Sequence, residues 1–228
     1  MRGYIQLDNN ALNKRVTLFC GHYGSGKTNI AVNFALHLRK TGIPVAIADI
    51  DVVNPYFRTK DSQRELEAAG VEVIALPFAN TSVDLPSLPQ EVYGLVQRRD
   101  KRVVMDIGGD DRGAYALGRY RPYILEEGDF ANFFVVNFSR PLTRTAEEAS
   151  EVFREIDAAA QIPFTGIVNN TNLGAETKIS DVINSKVLAE ELANLAGVPV
   201  VMTCAEKTLC EEANMTGFFK LKLQEKLF

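Results

Sequence analysis

Seven short runs of apolar and β-branched residues recur along the chain: Arg15–Cys20, Pro44–Ile50, Val71–Leu76, Arg102–Ile107, Phe130–Asn137, Thr165–Asn169 and Pro199–Thr203. Each is almost continuously hydrophobic instead of alternating, the pattern of strands buried on both faces of a parallel sheet. Amphipathic helical stretches separate them. Asn29–Lys40 carries Ile30, Phe34 and Leu38 on one stripe, with Ala31 and Ala35 beside it. Thr143–Ala160 carries Ala146, Ala149, Phe153, Ile156 and Ala160, and Ser180–Ala196 carries Ile183, Val187, Leu188, Leu192 and Leu195 before Gly197 and Pro199 stop it. Strand and helix in alternation build a doubly wound α/β fold, a mostly parallel sheet of about seven strands with helices on both faces. No linker, repeat or break in composition divides the 228 residues, which are expected to form one domain.

Composition narrows the class. An apolar content of 46% excludes a disordered chain, and a net charge of −4 argues against a general nucleic-acid coat. No run is long enough to span a bilayer, and the N-terminus lacks the apolar stretch of a secretory signal, so a cytoplasmic location is expected. Three cysteines without a C-x-x-C pair suggest neither a disulfide framework nor a zinc module. In the tail, Phe219, Leu221 and Leu223 alternate with Lys220 and Lys222, the period of an edge strand or packed tail and not of a membrane-binding helix. The basic run at 97–102 sits where a helix should end.

Residues 21–28 read GHYGSGKT and match G-x-x-x-x-G-K-[ST]. Such a string arises by chance in about one chain of this length per hundred, so its setting matters. It follows one predicted strand and opens one predicted helix, as a phosphate-binding loop requires. Gly21, Gly24 and Gly26 permit a backbone that wraps a pyrophosphate. The amides from there through Ser25, Lys27, Thr28 and Asn29 form an anion nest at a helix N-terminus. Lys27 supplies charge to the terminal phosphates, and the Thr28 hydroxyl suits Mg²⁺. The strand RVVMD delivers Asp106 at its end, a Mg²⁺ carboxylate or otherwise a helix N-cap, and Gly109 follows where an N–H would sense a γ-phosphate. The strand VAIADI carries Asp49 and is followed by Asp51, placed to orient the attacking water or the metal's water shell. Asn54, Pro55 and Arg58 follow on a segment able to respond to that phosphate, and Arg112 is a further candidate anion contact.

Phosphate loop, D-x-D, D-x-x-G and a late strand ending in Asn together resemble the ParA/MinD-type P-loop ATPases, the class that includes CobQ/CobB-type nucleotide-binding domains. The resemblance runs from Arg15 to Glu206. It implies Mg²⁺-dependent ATP binding, with GTP the less expected nucleotide, and slow hydrolysis used as a switch. It also implies a homodimer, nucleotide-dependent in many relatives, acting on a further protein partner; direct binding to nucleic acid or membrane is not expected. It gives Asp51 the switch carboxylate role, Asp106 the Mg²⁺ role and Asn169 a contact with the base. The family's signature lysine after the first glycine is here His22, which brings no charge at neutral pH unless its pKa is raised. Two other readings use the same fold: an ATP-dependent ligase or kinase acting on a small carboxylic acid, and a non-catalytic nucleotide-dependent adaptor or metal-centre chaperone.

Overall fold

The structure is a computed structural model that describes residues 11–50, 63–75, 90–109, 113 and 117–223. Eight parallel strands form one sheet: β1 (Val16–Cys20), β2 (Val45–Ile50), β3 (Glu72–Ala75), β4 (Arg102–Ile107), β5 (Phe130–Val136), β6 (Gly166–Asn169), β7 (Val200–Glu206) and β8 (Phe219–Leu221). Their order is β3-β2-β4-β1-β5-β6-β7-β8. The chain moves outward from β1 in one direction, returns to place β4 against it, then builds the other half from β5. The C-terminal end of β1 is therefore the topological switch point, where open α/β sheets bind their ligands.

The helices are α1 (Lys27–Lys40), α2 (Gln63–Ala68), α3 (Gln90–Gln97), α4 (Arg121–Glu127), α5 (Ala146–Ala160), α6 (Ile179–Ala196) and α7 (Lys207–Glu212). One face of the sheet packs Phe19, Ile47, Val104 and Phe133 against Ile30, Phe34 and Leu38 of α1 and Leu66 of α2. The other packs Leu18, Ala48, Met105 and Phe134 against α3, α4, α5 and α6. Both faces are covered, which is why the strand sequences read as unbroken apolar runs.

Two sequence expectations change. The sheet has an eighth strand beyond the seven counted, β8, which is the edge strand that the alternating tail suggested: Phe219 and Leu221 are buried while Lys220 is exposed. It is fastened to α1 by Asn33, whose side chain accepts from Lys222 N at 2.8 Å and donates to Lys222 O at 3.0 Å. The second change is the rotation of α6. Val182, Ser185, Ala189 and Leu192 face inward, whereas Ile183, Val187 and Leu195 are exposed. A buried hydrogen bond sets this rotation, since Ser185 Oγ accepts from Asn169 Nδ2 at 2.8 Å and donates to Val182 O. Leaving that amide unpaired would cost about 1–3 kcal/mol, comparable to burying one more aliphatic side chain.

The basic run after α3 does mark a helix end. Arg98 pairs with Asp100 at 2.9 Å, and Arg99 with Glu127 at 3.2 Å. Nearby Arg15 donates to the Arg98 and Val96 carbonyls and to Glu127, tying the start of β1 to the ends of α3 and α4. Cations at helix C-terminal carbonyls complement the backbone dipole there.

All three cysteines are buried and unbridged. Burial pushes each thiol above its ordinary range. For Cys20 the Lys27 ammonium opposes the rise and Asp106 adds to it; for Cys204 the neighbour Cys210 adds to it. The native protein should therefore give no reaction with a thiol reagent at neutral pH until denatured. Unfolded thiols ionise from about pH 8.5 while folded Cys20 and Cys204 stay protonated, so the unfolded state binds fewer protons and stability falls as pH rises. The slope is about 1.4 kcal/mol per pH unit for each such thiol. Urea melts between about pH 8 and 10 measure it, and a flat profile would contradict the burial.

Candidate functional site

β1 is buried at every residue, so the chain leaves the sheet interior at Cys20 and must turn at once. Gly21 makes that turn with φ +151°, and a Cβ there would lie 2.3 Å from the Val135 carbonyl oxygen of neighbouring β5. Gly24 and Gly26 adopt φ +78° and +89°, the left-handed region where other residues are strained. Ser25 N donates to His22 O at 3.2 Å and closes the loop. α1 then starts at Lys27 with no side-chain cap, leaving the first-turn donors to a bound anion. Ser25 Oγ is buried and has no hydrogen-bond partner among the described residues. The loop is thus a cup of main-chain donors whose walls leave no room for a side chain at Gly21 or Gly26.

Lys27 is 8% exposed, and its Nζ donates to the His22 carbonyl at 3.2 Å across the loop. Gly109, three residues beyond Asp106, lies against this ammonium: a Cβ on Gly109 would sit 2.8 Å from Lys27 Nζ and 2.8 Å from Tyr23 N. The D-x-x-G turn and the phosphate loop are therefore in direct contact. Asp106 pairs in register with Phe19 of β1 and with Asp49 of β2. Phe19 and Val104 pack on the α1 face, so the alternation of strand side chains puts Asp106 and Asp49 side by side on that face, where Lys27 and Thr28 open the helix. Both carboxylates are buried. Asp49, one strand over from Asp106, is a site residue that the spacing of the D-x-D run alone did not single out; strand order reveals it. Asp51, with Asn54, Pro55, Arg58 and Arg112, lies outside the described residues.

Asn169 ends β6 as expected, and its side chain is 0% exposed. The amide Nδ2 is given to Ser185, and Oδ1 accepts from Thr171 N and Oγ1 at 3.2 and 2.8 Å. Its donor holds α6, and its acceptor holds the segment that follows β6 at Thr171. The neighbouring Asn170 is the residue that reaches the loop: its Nδ2 donates to Ser25 O at 2.8 Å and would lie 2.3 Å from a Cβ on Gly26. Asn137 at the end of β5 joins this arrangement, donating to Asn172 O and accepting from Asn172 N. The doubled asparagine left the strand end ambiguous by one residue. Asn29, also expected at the site, is buried in α1, where its carbonyl accepts from Asn33 at 2.8 Å.

Among solved structures, chloroplast FtsY from Physcomitrella patens matches with a TM-score of 0.58 and 17% identity, covering 87% of this chain and 60% of that one. The fold is that of a P-loop nucleoside triphosphatase. The cell division protein FtsY of Thermotoga maritima matches with a TM-score of 0.56 at 18% identity, over 84% of this chain and 62% of that one. FlhF complexed with GTP and Mg²⁺ matches with a TM-score of 0.54 at 14% identity, over 84% and 65%. The chain thus spans less than two thirds of these neighbours' length. They are FtsY and FlhF proteins and lend no specific support to a ParA/MinD relationship; at these identities they carry the fold. Comparison with family models and with curated proteins finds no match. Among the described residues, no helix is long and apolar enough to cross a membrane.

Proposed function

We propose that the chain is a Mg²⁺-dependent nucleoside triphosphatase that uses slow hydrolysis of ATP as a switch, acting as a homodimer on a protein partner. The observation that supports this best is the packing of Gly109 onto Lys27 Nζ and the Tyr23 backbone. That contact puts the turn after Asp106 within reach of whatever anion the lysine holds, so the presence of a terminal phosphate would be felt at β4. The donor set also suits the metal: Thr28 and Asp106 offer the hard oxygens that Mg²⁺ takes alongside phosphate and water. Bound there, Mg²⁺ would neutralise phosphate charge. Lys27 and the loop amides would stabilise charge on the phosphate oxygens, and Asp51 would orient the water whose oxygen displaces the β–γ bridging oxygen from phosphorus.

The base divides two readings. The adenine reading rests on the ParA/MinD-type resemblance; NNTN at 169–172 lacks the acidic residue of N-K-x-D. The guanine reading draws on its fold neighbours, FlhF complexed with GTP and Mg²⁺ and FtsY from Elizabethkingia anophelis in complex with GDP. Phosphate release from ATP and from GTP, with Mg²⁺ and with EDTA and no other substrate, decides between them. Turnover of ATP at least about tenfold above GTP, a preference of about 1.4 kcal/mol, and abolished by EDTA, is expected. The reverse preference establishes the guanine reading. Turnover only when a small carboxylic acid is added establishes group transfer. Size-exclusion chromatography with each nucleotide tests the dimer.

A further inference from the structure

We propose that Arg140 is the second cation of the phosphate site, contacting in cis the polyphosphate held by the loop; this rests on the nucleotide reading above. Arg140 follows β5, the strand beside β1, and its side chain lies beside Gly24 of the phosphate loop. A Cβ on Gly24 would meet Arg140 Nε at 3.7 Å and Cδ at 3.9 Å. Gly109 reaches the same part of the loop from the β4 side. The loop is thus flanked by the D-x-x-G turn on one side and a guanidinium on the other.

The backbone that carries Arg140 is held firmly. Arg140 N donates to Asn137 O at 3.1 Å, and the buried Thr143 hydroxyl donates to the same carbonyl at 2.8 Å. Asn137 Oδ1 accepts from Ser139 N and Asn172 N, tying the turn to the loop after β6. Leu142, two residues on, is kept at φ +69°, a conformation a leucine adopts only when its surroundings impose it. The head group contrasts with this rigid base. Arg15, Arg98 and Arg99 all engage carboxylates, whereas Arg140 has no side-chain hydrogen bond or ion pair among the described residues. A guanidinium presents its donors as a planar fork suited to phosphate oxygens. Arg140 and Lys27 are the arginine and lysine side chains that lie against the loop.

Calorimetry with Mg-ATP and Mg-GTP on wild type, Arg140→Gln and Arg140→Lys tests this, with thermal melts of the unliganded proteins alongside. Arg140→Gln keeps most of the stem that covers Gly24 and removes the charge. It should weaken the triphosphate that wild type prefers by at least about tenfold, while Arg140→Lys retains most of the affinity. Melting temperatures should stay within about 1 °C of wild type, as for an exposed side chain outside the core. Binding by Arg140→Gln within about twofold of wild type, or an equal loss in Arg140→Lys, overturns the role of the charge. If wild type binds neither nucleotide, the nucleotide reading itself fails, and the two failures are thereby told apart.

Discussion

Lys27→Ala should lower affinity for Mg-triphosphate by about a hundredfold or more, with turnover lost, while the protein still folds and melts cooperatively. The ammonium is nearly buried and directed across the loop at the His22 carbonyl. Charged hydrogen bonds at such a position contribute about 1.5–3 kcal/mol each, and about 1.4 kcal/mol corresponds to tenfold in binding. In the unliganded protein the ammonium is held by the His22 carbonyl at 3.2 Å, and removing one such bond costs about 0.5–1.5 kcal/mol, partly offset because Ala is the better helix former in the first turn of α1. Lys27→Arg should fail as well. Even a Cβ on Gly109 would lie only 2.8 Å from Nζ, so the backbone of that turn closes the space beyond the ammonium, and a planar guanidinium is larger than an ammonium. Isothermal titration with differential scanning calorimetry reads both effects. Near-normal turnover in Lys27→Ala would remove the lysine, and with it the phosphate-loop assignment.

The fold was legible because a parallel sheet covered on both faces leaves its mark in every strand. β1, β2 and β4 lie within one residue of the predicted runs at 15–20, 44–50 and 102–107. The phosphate loop was equally legible, since its glycines are required by backbone geometry and its lysine by charge. What stayed hidden depends on partners distant in sequence. The rotation of α6 turns on Asn169 and Ser185, a buried polar pair that an apolar-stripe argument scores as unfavourable on both residues. The pairing of Asp49 with Asp106 needs the strand order, because β2 and β4 are neighbours only after the chain has returned to the centre of the sheet. Asn170 and Arg140 act across the loop from β6 and β5, and no local pattern distinguishes either from a turn residue.

Gly21→Ala should destabilise the fold by about 4 kcal/mol, the sum of left-handed strain and overpacking against backbone. For a chain of this length that is a fall in Tm of about 8–16 °C. The added Cβ would lie 2.3 Å from the Val135 carbonyl oxygen. That oxygen belongs to a central strand whose residues pair with β1 on one side and β6 on the other, so it cannot move without disturbing two ladders. Gly42→Ala is the matched control. Gly42 has φ +86° but nothing within 4 Å of its Cβ position, so only the dihedral cost of about 1 kcal/mol remains. The difference between the two variants isolates the close approach of loop to sheet. It is this approach that holds the amides of the cup against the end of β5, so the same substitution should also weaken triphosphate binding in whatever fraction stays folded. Equal melting temperatures for Gly21→Ala and Gly42→Ala would mean that the loop stands away from β5, and the cup would lose the wall that gives it shape.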